Sequence, residues 1–135
     1  MPRVFRVMKK DADGLPLVGQ TSLGIRPGID IDLDDQSNVL VNGKGMSVAP
    51  NWRDINVNRI PKRLRSIVLG AGGSNNTFCC RFGTGAFSRG VFASGLTLEP
   101  DSAQHGNAAP AQVVPLTAYE ADLAATRPDW QEDET

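Results

Sequence analysis

The sequence predicts an α+β fold: a strand-rich single domain of short strands and hairpins with a C-terminal helix. Three observations predict it. Several short segments alternate apolar and polar residues with the period of two expected of half-buried strands. The 14 Gly and 9 Pro are spread through all 135 residues and leave little room for long helices. One late segment, "LTAYEADLAATRPDW", carries helix signals. The length is that of one domain, placed at residues 1–130, and the acidic "QEDET" of residues 131–135 is expected to be a disordered tail.

Taken in order, "RVFRVM" predicts the first strand, with Val4, Arg6 and Met8 on one side and Arg3, Phe5 and Val7 on the other. "KKDADGLPLVGQTSLGIRPG" is turn-rich and irregular. "GIDIDLDD" predicts a second strand, because Ile29, Ile31 and Leu33 alternate with Asp30, Asp32 and Asp34. "NVLVNGKGMSVA" predicts two short strands joined as a hairpin at Asn42 and Gly43, both of which tolerate positive φ. Further strands are expected at "RSIVLG", "TFCCRF" and "GVFASGLTL"; in "TFCCRF", Phe78, Cys80 and Phe82 share one side. Proline at the first helical position predicts a short helix from Pro61 in "RIPKRLR". Thr117 and Glu120 have the spacing of a capping box for the last helix, which Pro128 stops by Arg127.

Lys plus Arg number 14 against 15 Asp plus Glu, a net charge of −1 that gives no general pull toward nucleic acid or an anionic membrane. No apolar run approaches the roughly 20 residues of a membrane span. The start "MPRVFRVMKK" lacks the apolar middle and cleavage site of a signal peptide, so a cytoplasmic protein is expected, with delivery into a target cell's cytoplasm left open. Cys79 and Cys80 are adjacent and close no useful loop, and two ligands without a second pair make a poor zinc site. "DIDLDD" begins like a calcium loop but has Asp35 in the glycine position and Val41 in place of the bidentate glutamate. No metal is expected. "LGAGGSNN" fails as a dinucleotide fingerprint, since Asn75 takes the third glycine's place and a strand follows.

Two features retain chemical interest. Arg59, Lys62, Arg63 and Arg65 form a basic cluster suited to phosphate, although a solvated face is its commoner meaning. His105 is the only histidine; as a general base it needs an orienting carboxylate, for which Glu99 and Asp101 are near in sequence. Its ordinary alternative is a loop ring bonded to backbone.

The blocks "GMSVAPNW", "RIPKRL" and "HGNAAPAQVVPLTAYEADLAATRPDW" resemble a pattern of small bacterial proteins; the likeness runs from Gly43 to Trp130 and implies no activity. The start "VFRVMK", the serine strand and the late histidine resemble ADP-ribosyltransferase-like bacterial toxins of secretion and toxin–antitoxin systems. That resemblance implies an NAD cofactor held by Arg6 on the first strand and Ser47 on a middle strand, with a late polar residue (Glu99, Gln104 or His105) as the third element. Arg6, Ser47 and His105 are then the catalytic candidates, and Trp52 and Arg53 join Arg6 and Ser47 as cofactor-binding candidates. It also implies a cognate immunity or antitoxin protein and a protein or nucleic-acid target. Structural roles compete: Arg6 pairing with a "DIDLDD" aspartate, Ser47 bonded to backbone, Trp52 covering the core edge. Two other functions stay open, a non-catalytic interaction module and an RNA-binding or nuclease domain using residues 59–65 with His105.

Overall fold

Strand β1, Val4–Lys9, is buried from Val4 to Met8 because its alternating apolar residues enter a core on each side; the computed structural model describes residues 1–135. The other elements are β2 Asn38–Val39, β3 Met46–Val48, β4 Thr77–Phe82, β5 Gly90–Ala93, β6 Leu96–Pro100, β7 Gly106–Pro110, β8 Val114–Pro115, α1 Leu116–Ala125 and β9 Trp130–Glu132. They make three small antiparallel sheets, β1-β4-β9, β2-β8 and β3-β7-β6-β5. This is the strand-rich α+β arrangement with a C-terminal helix that the sequence predicts. No helix is long and apolar enough to cross a membrane.

The alternation in β1 and β4 builds two cores. Val4, Met8, Cys80 and Phe82 enter the larger one, where Phe82 stacks on Phe92 with ring centroids 4.3 Å apart and Trp130 tilts against both. Phe5, Val7 and Cys79 enter the smaller one with Trp52, Ile60 and Leu64. Tyr119 ties α1 to the four-stranded sheet: its buried hydroxyl donates to the Ala108 carbonyl at 2.6 Å and accepts from the Met46 amide at 3.1 Å. Tyr119→Phe therefore leaves a buried amide and a buried carbonyl without this partner, and is expected to cost about 1–3 kcal/mol in urea unfolding.

Burial holds both thiols protonated, pushing Cys79 from 9.0 to about 12 and Cys80 to about 11. The unfolded chain releases these protons near the ordinary thiol value, so above it the unfolded state binds fewer protons than the folded one. Stability is accordingly expected to fall as pH rises from about 9 toward 11–12, read as a declining urea midpoint, and Cys79→Ala/Cys80→Ala flattens that decline.

Several expectations are corrected. "GIDIDLDD" is not a strand but a run of turns with isolated bridges Pro27 to Ile31 and Leu33 to Val39; Ile31 is buried, whereas Ile29 is exposed. Two aspartates there bond locally, Asp30 to Arg26 and Asp34 to the amides of Gln36 and Asn38, and so fold the backbone into turns, while Asp32 accepts from Asn42 and Lys44. β2 and β3 do not pair with each other as a hairpin, since β2 joins β8 and β3 joins β7. "RSIVLG" is a turn and "RIPKRLR" holds only a 3₁₀ turn, Lys62–Leu64. The capping box is unused: α1 starts at Leu116, whose amide donates to the Ser37 carbonyl, with Pro115 rather than Thr117 at the cap.

The acidic tail is also corrected, because it is built into the fold. Trp130–Glu132 pairs with β4 as β9, and Phe82 and Trp130 are register partners within the core. Beyond it Asp133 accepts from Arg81 at 2.9 Å and Glu134 takes the Arg63 guanidinium through two bonds of 2.7 and 2.8 Å. Charge pairing and one buried tryptophan order a segment whose composition suggests solvent exposure.

Candidate functional site

The site begins where β1 and β3 part. Phe5 and Ala49 exchange both backbone hydrogen bonds, and a continued antiparallel ladder would next pair Val7 with Ser47. The strands instead diverge into separate sheets. The Ser47 carbonyl accepts from Arg6 Nη1 at 2.8 Å, and a groove opens whose two compartments share Arg6, Val7, Ser47 and Arg59.

Arg6 fastens the floor of this groove. Its Nε donates to the Ser22 carbonyl at 2.6 Å and its Nη2 to the Gly24 carbonyl at 3.4 Å, so one guanidinium joins β1, β3 and the 22–24 turn. It forms no ion pair; Asp30 is engaged instead by Arg26 at 3.0 Å. Burial, with the charge of Arg59 second, presses the Arg6 pKa from 12.5 down to about 10, which leaves it charged at neutral pH. The groove therefore contains a buried cation with no carboxylate bonded to it, a charge that an incoming anion stabilises. Three of the five guanidinium N–H groups are engaged, and one on each terminal nitrogen remains.

The first compartment is polar, a cavity of about 410 Å³ lined by Lys9, Thr21, Arg26, Asp30, Arg59 and Ser74 among others. Arg59 has neither a carboxylate nor a hydrogen-bond partner for its guanidinium and is exposed. Its backbone is set by the wall of residues 57–73, closed by amide bonds from Gly72 to Val57 O and from Gly73 to Ile60 O. Gly73 is required there, since a Cβ would collide with the Arg59 carbonyl. The second compartment, about 280 Å³, is more apolar, with Phe5, Val48, Ala49 and Ile55 beside Asp54, Arg59 and His105.

His105 precedes β7 and lines this second compartment. Asp101 turns back to it: both carboxylate oxygens lie 2.8 Å from Nδ1, while the Asp101 and Ser102 amides donate to the His105 carbonyl. Nε2 has no partner in the protein. The Ser47 hydroxyl likewise has no hydrogen-bond partner, and its residue is half-buried between the core residues Met46 and Val48.

Arg6, Ser47 and His105, far apart in sequence, thus line one compartment. Trp52 and Arg53, expected to bind cofactor, are corrected. Trp52 is buried in the smaller core with its Nε1 toward the Thr135 carbonyl, and Arg53 stacks on its ring at 4.6 Å from the centroid; neither lines the groove. Of the other candidates for the third element, Glu99 pairs with Arg89 beside a different hollow, and Gln104 is exposed outside the groove. The basic cluster is divided. Arg59 faces the groove, Arg63 holds the tail, and Arg65 donates to the Ala71 carbonyl at 2.7 Å.

Sequence reasoning placed Arg59 only in a cluster and left Asp101 as one of two possible partners of His105. The i, i+4 spacing of Asp101 and His105 carries the signal for that pair, and the turn between them decides it. No group of three or more His, Cys, Asp or Glu side chains is placed to hold a metal ion. Compared with known proteins, the chain matches no family model, no curated protein and no solved structure.

Proposed function

We propose that this chain is an ADP-ribosyltransferase-like toxin or effector domain that binds NAD in the groove between β1 and β3. The observation that supports it most is the meeting of Arg6 and Ser47 beside Arg59, around a buried guanidinium without an ionic partner. In this reading Arg59 and the two open N–H groups of Arg6 receive the diphosphate, because charge-assisted bonds to phosphate are strong and planar guanidinium geometry suits them. The unpaired Ser47 hydroxyl meets the ribose, and the apolar wall of Phe5, Val48 and Ile55 accepts the nicotinamide ring. Breaking the glycosidic bond develops positive charge on the ribose, which the carboxylate of Asp54 in the same compartment opposes.

A non-catalytic, protein-binding role has support of its own in the segment that forms the groove wall, where Val57, Ile67 and Leu69 are exposed, Leu69 at 94%, and line neither compartment. The two readings are separated by measuring nicotinamide release from NAD by the wild-type chain, Ser47→Ala and Arg59→Ala, with mass spectrometry of a bacterial lysate to find the modified acceptor. Release by the wild-type chain that drops at least tenfold in both variants supports the NAD reading. Equal inertness of all three folded chains, with no NAD binding, overturns it and leaves the interaction module.

A further inference from the structure

The arrangement of His105 and Asp101 gives the groove a function that NAD binding alone does not use. Asp101 engages Nδ1, which fixes the ring's orientation and, in the neutral ring, its proton on that nitrogen; Nε2 is then an acceptor without a protein partner, on a residue that lines the second compartment. Other charged groups facing this compartment are Asp54 from the turn after β3, Arg6 from β1 and Arg59 from the groove wall. None of them bonds the imidazole. We propose that His105 is the general base for an acceptor hydroxyl, water included, and that Asp101 is its positioning residue; this rests on the reading of the groove as an NAD site.

The chemistry selects the hydroxyl. A carboxylate acceptor is already an anion at neutral pH and requires no base, and a guanidinium holds its proton too tightly for imidazole to remove. A hydroxyl becomes acidic only as its oxygen bonds to carbon, which is the moment at which a positioned base is effective. In the step, the acceptor oxygen bonds to the ribose carbon, the carbon–nitrogen bond to nicotinamide breaks, and its electron pair leaves with neutral nicotinamide. The hydroxyl proton passes to His105 Nε2, Asp101 stabilises the imidazolium, and the proton is then released to solvent. The products are the ADP-ribosylated acceptor, or free ADP-ribose where water is the acceptor, with nicotinamide and one proton.

The test measures NAD binding by calorimetry and nicotinamide release against pH for the wild-type chain, His105→Gln, Asp101→Asn and Asp101→Glu, in buffer and in bacterial lysate. Affinity for NAD is expected to change less than about twofold in all variants, since neither residue holds the diphosphate. His105→Gln lowers kcat by about 10²–10⁴-fold and changes the shape of the pH profile. Asp101→Asn lowers kcat with KM unchanged, and Asp101→Glu restores part of it. NAD that is bound and cleaved at the same rate and with the same pH profile by His105→Gln overturns the dyad and leaves the groove reading standing. NAD bound without turnover in either medium does the same. Absence of NAD binding by the wild-type chain overturns both.

Discussion

Arg6→Ala is expected to lower stability by about 2–4 kcal/mol in urea unfolding. Hydrogen bonds from a charged donor contribute about 1.5–3 kcal/mol each, and Arg6 makes two short ones and one longer one to two segments, the 22–24 turn and β3. Two effects offset part of that loss. Removing a charge buried without an ionic partner relieves its desolvation, and groove water rehydrates the freed carbonyls. Arg6→Met separates the contributions, because it retains much of the apolar volume and discards charge and donors together. It is expected to be destabilised nearly as much as Arg6→Ala, whereas Arg6→Lys, with one compact ammonium, recovers less than half of the loss. An Arg6→Met protein as stable as wild type would show that the guanidinium is not the fastening of the groove floor. The residue would then be held there against its own desolvation cost for ligand binding alone.

How much of this was legible in the sequence follows from where the information lies. Strands β1 and β4 were readable because their alternation meets apolar groups on both sides. "GVFASGLTL", expected as one strand, is instead the hairpin of β5 and β6, because Gly95 turns the chain with a positive φ of 76°. β7 was not readable, since "GNAAP" has no β-branched or aromatic residue; its place beside β3 and β6 is set by small side chains, and a Cβ at Gly45 would collide with the Ala108 carbonyl. The acidic "DIDLDD" alternates as a strand does, yet Asp30 and Asp34 find nearer partners in local amides and Arg26, and turns win over the ladder. Arg6 and Ser47 were singled out by resemblance. What joins them, the divergence of β1 from β3 after Phe5 and Ala49, is a long-range event that no local pattern encodes. Trp52 was misplaced for the converse reason: an aromatic beside a proline in a loop looks like a ligand platform, but Ile60, Leu64 and the chain terminus cover it.

Arg59 carries the second large prediction, and it separates binding from folding more cleanly than Arg6. Its guanidinium is exposed and bonded to nothing in the protein, so Arg59→Ala is expected to leave urea stability within about 0.5 kcal/mol of wild type. Its effect on the ligand is expected to be large. Loss of one charge-assisted bond to a phosphate, worth about 1.5–3 kcal/mol, corresponds to a roughly 10–150-fold weaker affinity for NAD, and for ADP-ribose by the same factor. Arg65→Ala is the matched control, because that guanidinium donates to the Ala71 carbonyl outside the groove and its removal leaves affinity unchanged. Salt extends the argument: an exposed cation is screened, so the affinity ratio between wild type and Arg59→Ala is expected to narrow as ionic strength rises. On the proposed NAD reading, the part of the affinity owed to buried Arg6 is expected to be screened much less and to persist. If Arg59→Ala and Arg65→Ala instead lose affinity equally, the ligand is responding to the general basic character of residues 59–65, and the wall of the groove is an electrostatic surface rather than one side of a shaped site.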